Sequence, residues 1–569
     1  MDREARLAAR NAAKSISAAV HNTTLVTIDG VEVDDSPGGQ FGFAEAIKRW
    51  GIVEVRKSID IEIASLQEKN PRMLRAAVDG RHGRPLPSLF VFSEKRDGTK
   101  KARLVVNGKF ERLPPGVSSY APTISPLAIR VILLKIARED AFMAVIDIKT
   151  AYVNARLKKA ITIRPPKGWP VENSGNLVVT QALYGLIESG RLWYDHLKRF
   201  LIDKIGFRRA AADPCVFYKS TAGKLAIIGV YVDDIIIVAL SKAAVEDIKS
   251  AIEATFRISR QNEGCDILGI KVSRDARGFT LSQKDQIMEL IGMYPACTKN
   301  PCKAPGGTHE GILAPDFKAI KMTGATLLPE MSADKARGYI QSLVGKASYL
   351  AERTRPDIAA VVNRLAATAS YATREHVQAV GDLVRYIRGT ADRVFCIHPL
   401  RAQVPRVELW ADASHANEKA NRSRRGYAIY ADGVLLAWSS TVTQRVKVSV
   451  QEAEMDALSE GTKTAKLVKS LLFDVGIHTL KTIHAYSDNS VVVRIAQGDA
   501  STQHATRAET TQTSYLQELV YYSELKVEHC CAKLSRADIF TKALKAAAKN
   551  NEGEKSHQHA VKLLGCFEG

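Results

Sequence analysis

The stretch AIIGVYVDDIIIVAL, residues 226–240, places two adjacent carboxylates, Asp233 and Asp234, in the middle of a long apolar run. Burying charge is costly unless the charge is paired or holds a cation. The flanking segments LAIIGVY and IIIVAL have the β-branched composition of strands. Asp favours turns, so Val232-Asp233-Asp234 reads as the tight connection of a hairpin. A plain turn would explain the pair if it stood alone. Upstream, however, the apolar segment MAVID (143–147) also ends on an aspartate, Asp147. Neighbouring strands lie about 5 Å apart, so one sheet end can gather Asp147, Asp233 and Asp234. Three carboxylates repel one another unless cations sit between them. Two magnesium ions about 4 Å apart relieve that repulsion. The reaction class such a pair serves is nucleotidyl transfer, with a 3′-hydroxyl attacking and pyrophosphate leaving.

Working outward, residues 89–110 (LFVFSEKRDGTKKARLVVNGKF) read as strand, polar Asp-Gly turn and strand. The basic residues Lys95, Arg96, Lys100, Lys101 and Arg103 flank the turn. Residues 58–70 read as an amphipathic helix. Residues 126–140 read as a helix with Ile129, Ile132, Leu133 and Ile136 on one face. Residues 190–206 form a further helix whose stripe of Trp193, Leu197, Phe200 and Leu201 reads as core.

A second acidic set lies near the far end of the chain. VELWADASHA (407–416) is a strand carrying Asp412, followed by a hairpin over 425–440 with an Asp-Gly turn. A long helix over 449–476 carries Glu452 and Glu454. A strand over 482–490 ends in Asp488, and a short helix over 534–544 carries Asp538. Three antiparallel strands, a helix, a strand and further helices form an α/β layout.

At 569 residues the chain exceeds one ordinary core and predicts two to four domains. Lys and Arg number 81 against 61 Asp and Glu, a net charge of +20 that favours a polyanionic partner such as nucleic acid. Eight scattered cysteines fit a reducing compartment. The one cluster, Cys297, Cys302 and His309, lacks a fourth ligand and tight zinc spacing, and reads as a loop. No run is long and charge-free enough to span a bilayer. The first twenty residues lack a secretory core, and Asp2 and Glu4 argue against a transit peptide.

Several strings resemble one family. YVDD between apolar strands is similar to the motif of reverse transcriptases, and its neighbours resemble the copia-type retrotransposon branch. KARLVVNGKF (101–110) resembles KARLVAKGF, and DIKTAYVNARL (147–157) resembles DVKTAFLNGxL. ALYGLIESGRLWY (182–194) resembles ALYGLKQAPRAWY, and YAPTISPLAIRVILLKIA (120–137) resembles the TFSPV…IR segment. DILGIKVSR (266–274) and SLVGKASYLAERTRPDI (342–358) resemble the spacer that follows. EAEMDAL (452–458), SDN (487–489) and ADIFTKAL (537–544) resemble EAEYIAL, CDN and ADILTKPL.

The resemblance implies a right-hand polymerase followed by a ribonuclease H-like α/β domain, an α/β and α+β multidomain fold. It implies an N-terminal extension (1–50), fingers and palm (51–265), a thumb or connection-like region (266–400), a ribonuclease H domain (401–545) and a tail (546–569). It implies Asp147, Asp233 and Asp234 as polymerase metal ligands, and Asp412, Glu454, Asp488 and Asp538 as ligands of a second, hydrolytic site. Glu454 is preferred to Glu452 because the family's ligand precedes Ala by three residues. Tyr152 falls under the incoming sugar, where it favours deoxynucleotides. The resemblance further implies Lys95, Lys101, Arg103 and Arg191 as nucleotide-binding residues and Tyr231 as the support of the primer end. The implied cofactor is Mg2+, two per site, with Mn2+ as the alternative. The implied partners are an RNA template, a DNA primer, the RNA–DNA hybrid, dNTPs, and the capsid and integrase of the same element, in an intracellular setting. Two departures stand out: IESGR (187–191) replaces KQAPR, and HATRAETTQ (504–512) poorly keeps RTKH. They leave open an alternative, a domesticated or decayed protein that binds nucleic acid without catalysis.

Overall fold

The computed structural model describes residues 40–568, except 69, 71–72, 78–83, 95–97, 113–115, 117, 171–174, 261–265, 294–300, 303, 306–332, 370–373, 501–506 and 543–551. Lys95, Cys297, His309 and most of the expected N-terminal extension lie outside the described residues.

The basic hairpin forms as the alternation predicts. Ser88–Glu94 pairs antiparallel with Lys100–Val106, and Gln40–Phe41 adds a third strand. Helix Phe43–Gln67, kinked at Gly51, lies beside this small sheet. It begins within the stretch expected as extension. Its buried Glu62 accepts the Leu104 N–H at 3.1 Å.

The palm is a six-stranded antiparallel sheet. Its strands are β1 (Phe142–Ile148), β2 (Arg208–Arg209), β3 (Val216–Thr221), β4 (Lys224–Tyr231), β5 (Asp234–Ala239) and β6 (Ile258–Arg260). Their order is β6-β1-β5-β4-β3-β2. β4 and β5 are the two apolar runs, and they are buried because they are central strands. Helix α1 (Pro126–Glu139) packs behind β4, capped by the Ser125 hydroxyl, which accepts the Ala128 N–H. Gly229 of β4 permits the close approach: a Cβ there would lie 2.7 Å from Ile124 Cδ1.

The sequence predicted one apolar face for α1, yet residues 128–137 are all buried. The reason is a second layer behind it. Arg130 Nε donates to Leu436 O at 2.7 Å, and its Nη1 donates to Arg353 O at 3.1 Å. Its guanidinium lies 4.2 Å from the centre of the Trp438 ring. Trp438 Nε1 in turn donates to Ala351 O.

The spacer has its own core. Helices α2 (Ala333–Arg353), α3 (Ala359–Thr368) and α4 (Arg374–Gly389) pack with Lys284–Gly292. A buried network of Arg355, Asp357, Tyr386 and Arg393 fixes the turn after α2. His557, from the helix Glu552–Leu564, reaches Tyr386 Oη at 3.0 Å. The strand Phe567–Glu568 pairs with Val394–Ile397. The segment expected as a tail is thus a strand of the spacer sheet.

The C-terminal unit contains β7 (Val407–Glu418), β8 (Arg422–Ala431), β9 (Val434–Val442), β10 (Ile483–Ser487) and β11 (Leu525–His529), in the order β9-β8-β7-β10-β11. β7 to β9 are antiparallel, whereas β10 and β11 run parallel to β7. Helix α5 (Val450–Asp474) crosses the face. This is the ribonuclease H-like arrangement of a mixed sheet. Among the described residues no helix is long and apolar enough to cross a membrane.

Asp432, in the β8–β9 turn, ties this unit to the palm. Its buried carboxylate pairs with Arg138 and accepts the N–H groups of Arg401 and Ala402, each at 3.0 Å. Asp432→Ala leaves a cation and two donors without their acceptor. Chemical denaturation should show a loss of about 3 kcal/mol. Asp432→Asn, which keeps an acceptor, should lose less.

Candidate active sites

The polymerase-side cluster is built by strand register. Asp234 is the direct cross-strand partner of Asp147, and Tyr231 pairs with Asp234 across a two-residue turn, Val232-Asp233. Asp234 is therefore the first residue of β5, and only Val232 and Asp233 form the connection. Val232 sits at φ +53°, a left-handed conformation that costs a β-branched residue of order 1–3 kcal/mol. Two hydrogen bonds hold it there. Trp193 Nε1 donates to Val232 O at 2.6 Å, and the Ile148 N–H donates to Asp233 O at 2.8 Å. Trp193 lies on the helix Ser189–Arg199. It was read only as core, and its apolar stripe gave no sign of the indole donor.

The carboxylates perturb one another. Burial, with Asp233 and Asp147 adding repulsion, pushes Asp234 up to about 7. Asp233 is raised by burial and then by Asp147, while Arg103 and Lys101 oppose the shift. The basic hairpin thus faces the acidic turn, with Lys101 and Arg103 on one side of their strand. Arg103 also lies 5.8 Å from the Tyr184 ring centre. Tyr184 stands edge-on to Tyr152 at 5.1 Å, and the Tyr152 hydroxyl is raised by burial and by Asp233. Tyr184 was not singled out from the sequence, though it lies in the quoted ALYGL string. Gly185 lets that loop touch the fingers, because a Cβ there would lie 2.0 Å from Val106 O.

Tyr231 is half-buried, and its hydroxyl is pushed up to about 12 by burial, with Arg353 opposing and Tyr349, Asp233 and Asp234 adding. Arg191 is engaged elsewhere: its Nε donates to Asp195 at 2.7 Å, and its Nη1 to Tyr120 O at 3.4 Å. In the departing loop, Glu111 accepts the Ile187 N–H at 2.6 Å. Glu111 is raised by burial, and Glu188 adds to the shift.

In the second cluster, Asp412, Glu454 and Asp488 each offer an oxygen within 4.8 Å of the others. Asp412 projects from β7 and Glu454 from the first turns of α5. Asp488 follows β10 directly, where Asn489 caps the next helix by accepting the Val491 and Val492 N–H groups. Glu452 has another role. Its Oε2 accepts the Val448 N–H, while the Ser449 hydroxyl accepts the Glu452 N–H, closing the helix N-terminus.

Asp538 lies beside this trio and pairs with Lys542. Thr541 donates its hydroxyl to Asp412 Oδ2. Gly426 makes room for this corner: a Cβ there would meet Phe540 Cβ at 2.6 Å and Thr541 Cγ2 at 2.8 Å. Thr541 and Lys542 were legible in ADIFTKAL but were passed over for Asp538.

Glu454 is pushed up to about 9 by burial, then by Asp412 and Asp488. Asp412 is pushed up to about 7 by burial, with the Thr541 hydrogen bond opposing and Asp538 adding. Glu454 Oε2 and Asp538 Oδ1 are buried and make no hydrogen bond. Crowded carboxylates with orphaned oxygens fit hard divalent cations, which take oxygen ligands.

Residues 76–307 match the reverse transcriptase (RNA-dependent DNA polymerase) family and form a domain of that class. Over most of its length the chain is related to the Pol polyproteins of copia-type transposons. It is 28% identical over 506 residues to the retrovirus-related Pol polyprotein from transposon TNT 1-94 of Nicotiana tabacum, covering 86% of this chain and 37% of the relative. It is 28% identical over 464 residues to that from transposon RE1 of Arabidopsis thaliana, covering 80% and 30%. The chain thus spans about a third of the length of these relatives. Among solved structures, the foamy viral protease-reverse transcriptase in complex with RNA/DNA hybrid aligns with a TM-score of 0.49 and 14% identity, covering 84% of this chain and 54% of that one.

The raised carboxyls predict a cation-free pH dependence. Glu454 has an ordinary value of 4.5 and a folded value of about 9. Folding therefore takes up a proton between these values, and this contribution, complete below pH 4.5, is lost as the pH rises through 9. In chelator, Glu454→Gln should be more stable than the parent at the top of this window by at least about 1 kcal/mol, and the difference should vanish at its foot. Magnesium should stabilise the parent more than the variant, which keeps the palm carboxylates but has lost one ligand of the second cluster. Urea melts at both ends of the window, with and without magnesium, test this.

Proposed function

We propose that this chain is the RNA-directed DNA polymerase of a copia-type retrotransposon with a linked ribonuclease H that cleaves RNA in RNA–DNA hybrids. The observation that carries the reading is the pair of convergent carboxylate clusters, each at the end of a central strand and each with a partner set suited to phosphate chemistry. Asp147, Asp233 and Asp234 would hold magnesium in the palm, and Asp412, Glu454, Asp488 and Asp538 in the second unit. Bound there, the cations supply an activated oxygen nucleophile and neutralise charge on the leaving group.

The chain's own residues do the rest. Lys101 and Arg103 approach the palm carboxylates from the fingers and are suited to the triphosphate; Lys95, outside the described residues, is proposed for the same role. Tyr152, braced by Tyr184, forms the floor under the sugar and disfavours a 2′-hydroxyl. Tyr231 supports the primer end, and Arg191 orders the loop beside the nucleotide through Asp195 and Tyr120. In the second unit, Thr541 holds the orientation of Asp412, and Lys542 supplies a cation next to Asp538. The net charge of +20 suits an RNA template, a DNA primer and their hybrid, read by A-form shape rather than sequence. The proposed setting is intracellular, with the capsid and integrase of the same element as protein partners.

The deciding assay supplies purified chain with a primed RNA template, dNTPs and magnesium. Asp233→Asn should abolish extension and spare cleavage of hybrid RNA. Asp488→Asn should do the reverse. Binding without extension by the parent would reject the polymerase reading in favour of a non-catalytic binder. A second assay probes sugar selection. Tyr152→Val should raise incorporation of ribonucleotides relative to deoxynucleotides by at least about tenfold, read from the two kcat/KM values. An unchanged ratio removes Tyr152 from that role.

A further inference from the structure

We propose that Cys396, His398 and Glu568, with water completing the shell, form a site for a zinc-class divalent cation that clips the segment 552–568 to the spacer sheet. The site is separate from the second acidic cluster and differs from both clusters in chemistry, because it contains a thiol and an imidazole.

The placement follows from strand register. Val394 pairs with Glu568 and Phe395 with Phe567 across the antiparallel ladder, and the Cys396 N–H donates to Cys566 O at 2.8 Å. Residues 394, 396 and 398 alternate onto one face, and the register puts Glu568 on that same face. The Cys396 sulfur, an imidazole nitrogen of His398 and a Glu568 oxygen all lie within 4.8 Å of one another. These three side chains line a cavity of about 70 Å³, enough for an ion and a water.

The donors are poorly occupied by one another. Cys396 Sγ has a 3.9 Å contact to Val394 O. His398 Nε2 is buried and makes no hydrogen bond, with Asp275 Oδ2 at 3.6 Å, while its Nδ1 lies 3.7 Å from Glu568 Oε1. Arg277 is the competing cation: its Nη2 lies 2.9 Å from Glu568 Oε2 and 3.5 Å from Asp275 Oδ2, and its Nη1 lies 2.5 Å from Glu568 Oε1. One thiolate and two carboxylates against that guanidinium leave a charge of −2, which one divalent cation balances. Sulfur, imidazole and carboxylate suit zinc, whereas magnesium and calcium prefer oxygen alone. Binding displaces the thiol proton to solvent and the Arg277 Nη1 contact from Glu568 Oε1, leaving Arg277 paired with Glu568 Oε2.

A clip is useful at this place. The strand Phe567–Glu568 is two residues long, so its ladder holds it weakly. A cation shared by residues 396, 398 and 568 closes the large loop that contains the whole C-terminal unit, and such closure stabilises the folded state.

The test uses the full chain in excess magnesium, which occupies oxygen-only clusters. After chelation and dialysis the chain is loaded with Co2+ or Zn2+. The proposal expects a cobalt–thiolate absorption band in the near ultraviolet that is lost in Cys396→Ser and in His398→Ala but kept in Cys531→Ser. Zinc should raise the unfolding midpoint of the parent and of Cys531→Ser only. If the two ligand variants do not fold, zinc-edge X-ray absorption of the parent decides: one sulfur and at least one imidazole in the first shell support the site. A shell of oxygens alone, or a band unchanged in Cys396→Ser, overturns it.

Discussion

The three parts of the molecule close on Arg130. A guanidinium carries five donors and tolerates burial only where acceptors surround it. Here the acceptors are main-chain carbonyls of Leu436, Glu352 and Arg353, and the Trp438 ring covers the flat face. Burial, with Arg353 nearby, lowers its pKa to about 9, so it remains a cation at neutral pH. A cation so placed requires the palm helix, the end of α2 and the edge strand β9 to meet at one point. Trp438 reinforces this by donating to Ala351 O, so the stacked ring is itself fixed. The palm and the C-terminal unit share one core as a consequence, and α1 is buried on both sides.

Both acidic clusters meet the same problem by different means. In the palm, the carboxylates stand at a strained two-residue turn, and the compensating cations Lys101 and Arg103 reach in from a separate hairpin. In the second unit, the compensation is local: Thr541 and Lys542 come from the same short helix as Asp538. The second cluster is the more buried, with Asp412 3% and Glu454 5% exposed. Glu454 is pushed furthest, to about 9, by burial first and then by Asp412 and Asp488.

Much of this was legible in the sequence because the signals were violations of simple rules. Two charges inside an apolar run demanded a turn and a cation, and the second strand ending in aspartate supplied the partner. The structure pairs Asp147 with Asp234 and brings Asp412, Glu454 and Asp488 together. What stayed hidden depends on contacts between distant segments. The stripe of α1 revealed one buried face, since nothing in residues 126–140 says that β9 lies behind them. Gly426 and Gly185 matter because of what approaches them, Phe540 and Val106 respectively, and a glycine in sequence carries no record of its neighbour. The pairing of residues 567–568 with 394–397 was invisible for the same reason: two residues are too short for periodicity.

The placement of α1 links these observations. On its front, Ile132 Cδ1 lies 3.1 Å from the position a Cβ would take at Gly229, two residues before Tyr231. On its back, Arg130 and Arg138 hold β9 and the β8–β9 turn. Close-packed interiors transmit displacement rather than absorb it. One rigid helix therefore separates the strand that ends in the palm carboxylates from the sheet that carries Asp412. The separation of the two clusters is set by the thickness of that helix layer and by the length of the strands, not by a linker. The span between the two clusters is therefore fixed by packing, and a change in the volume of α1 alters it at both ends at once.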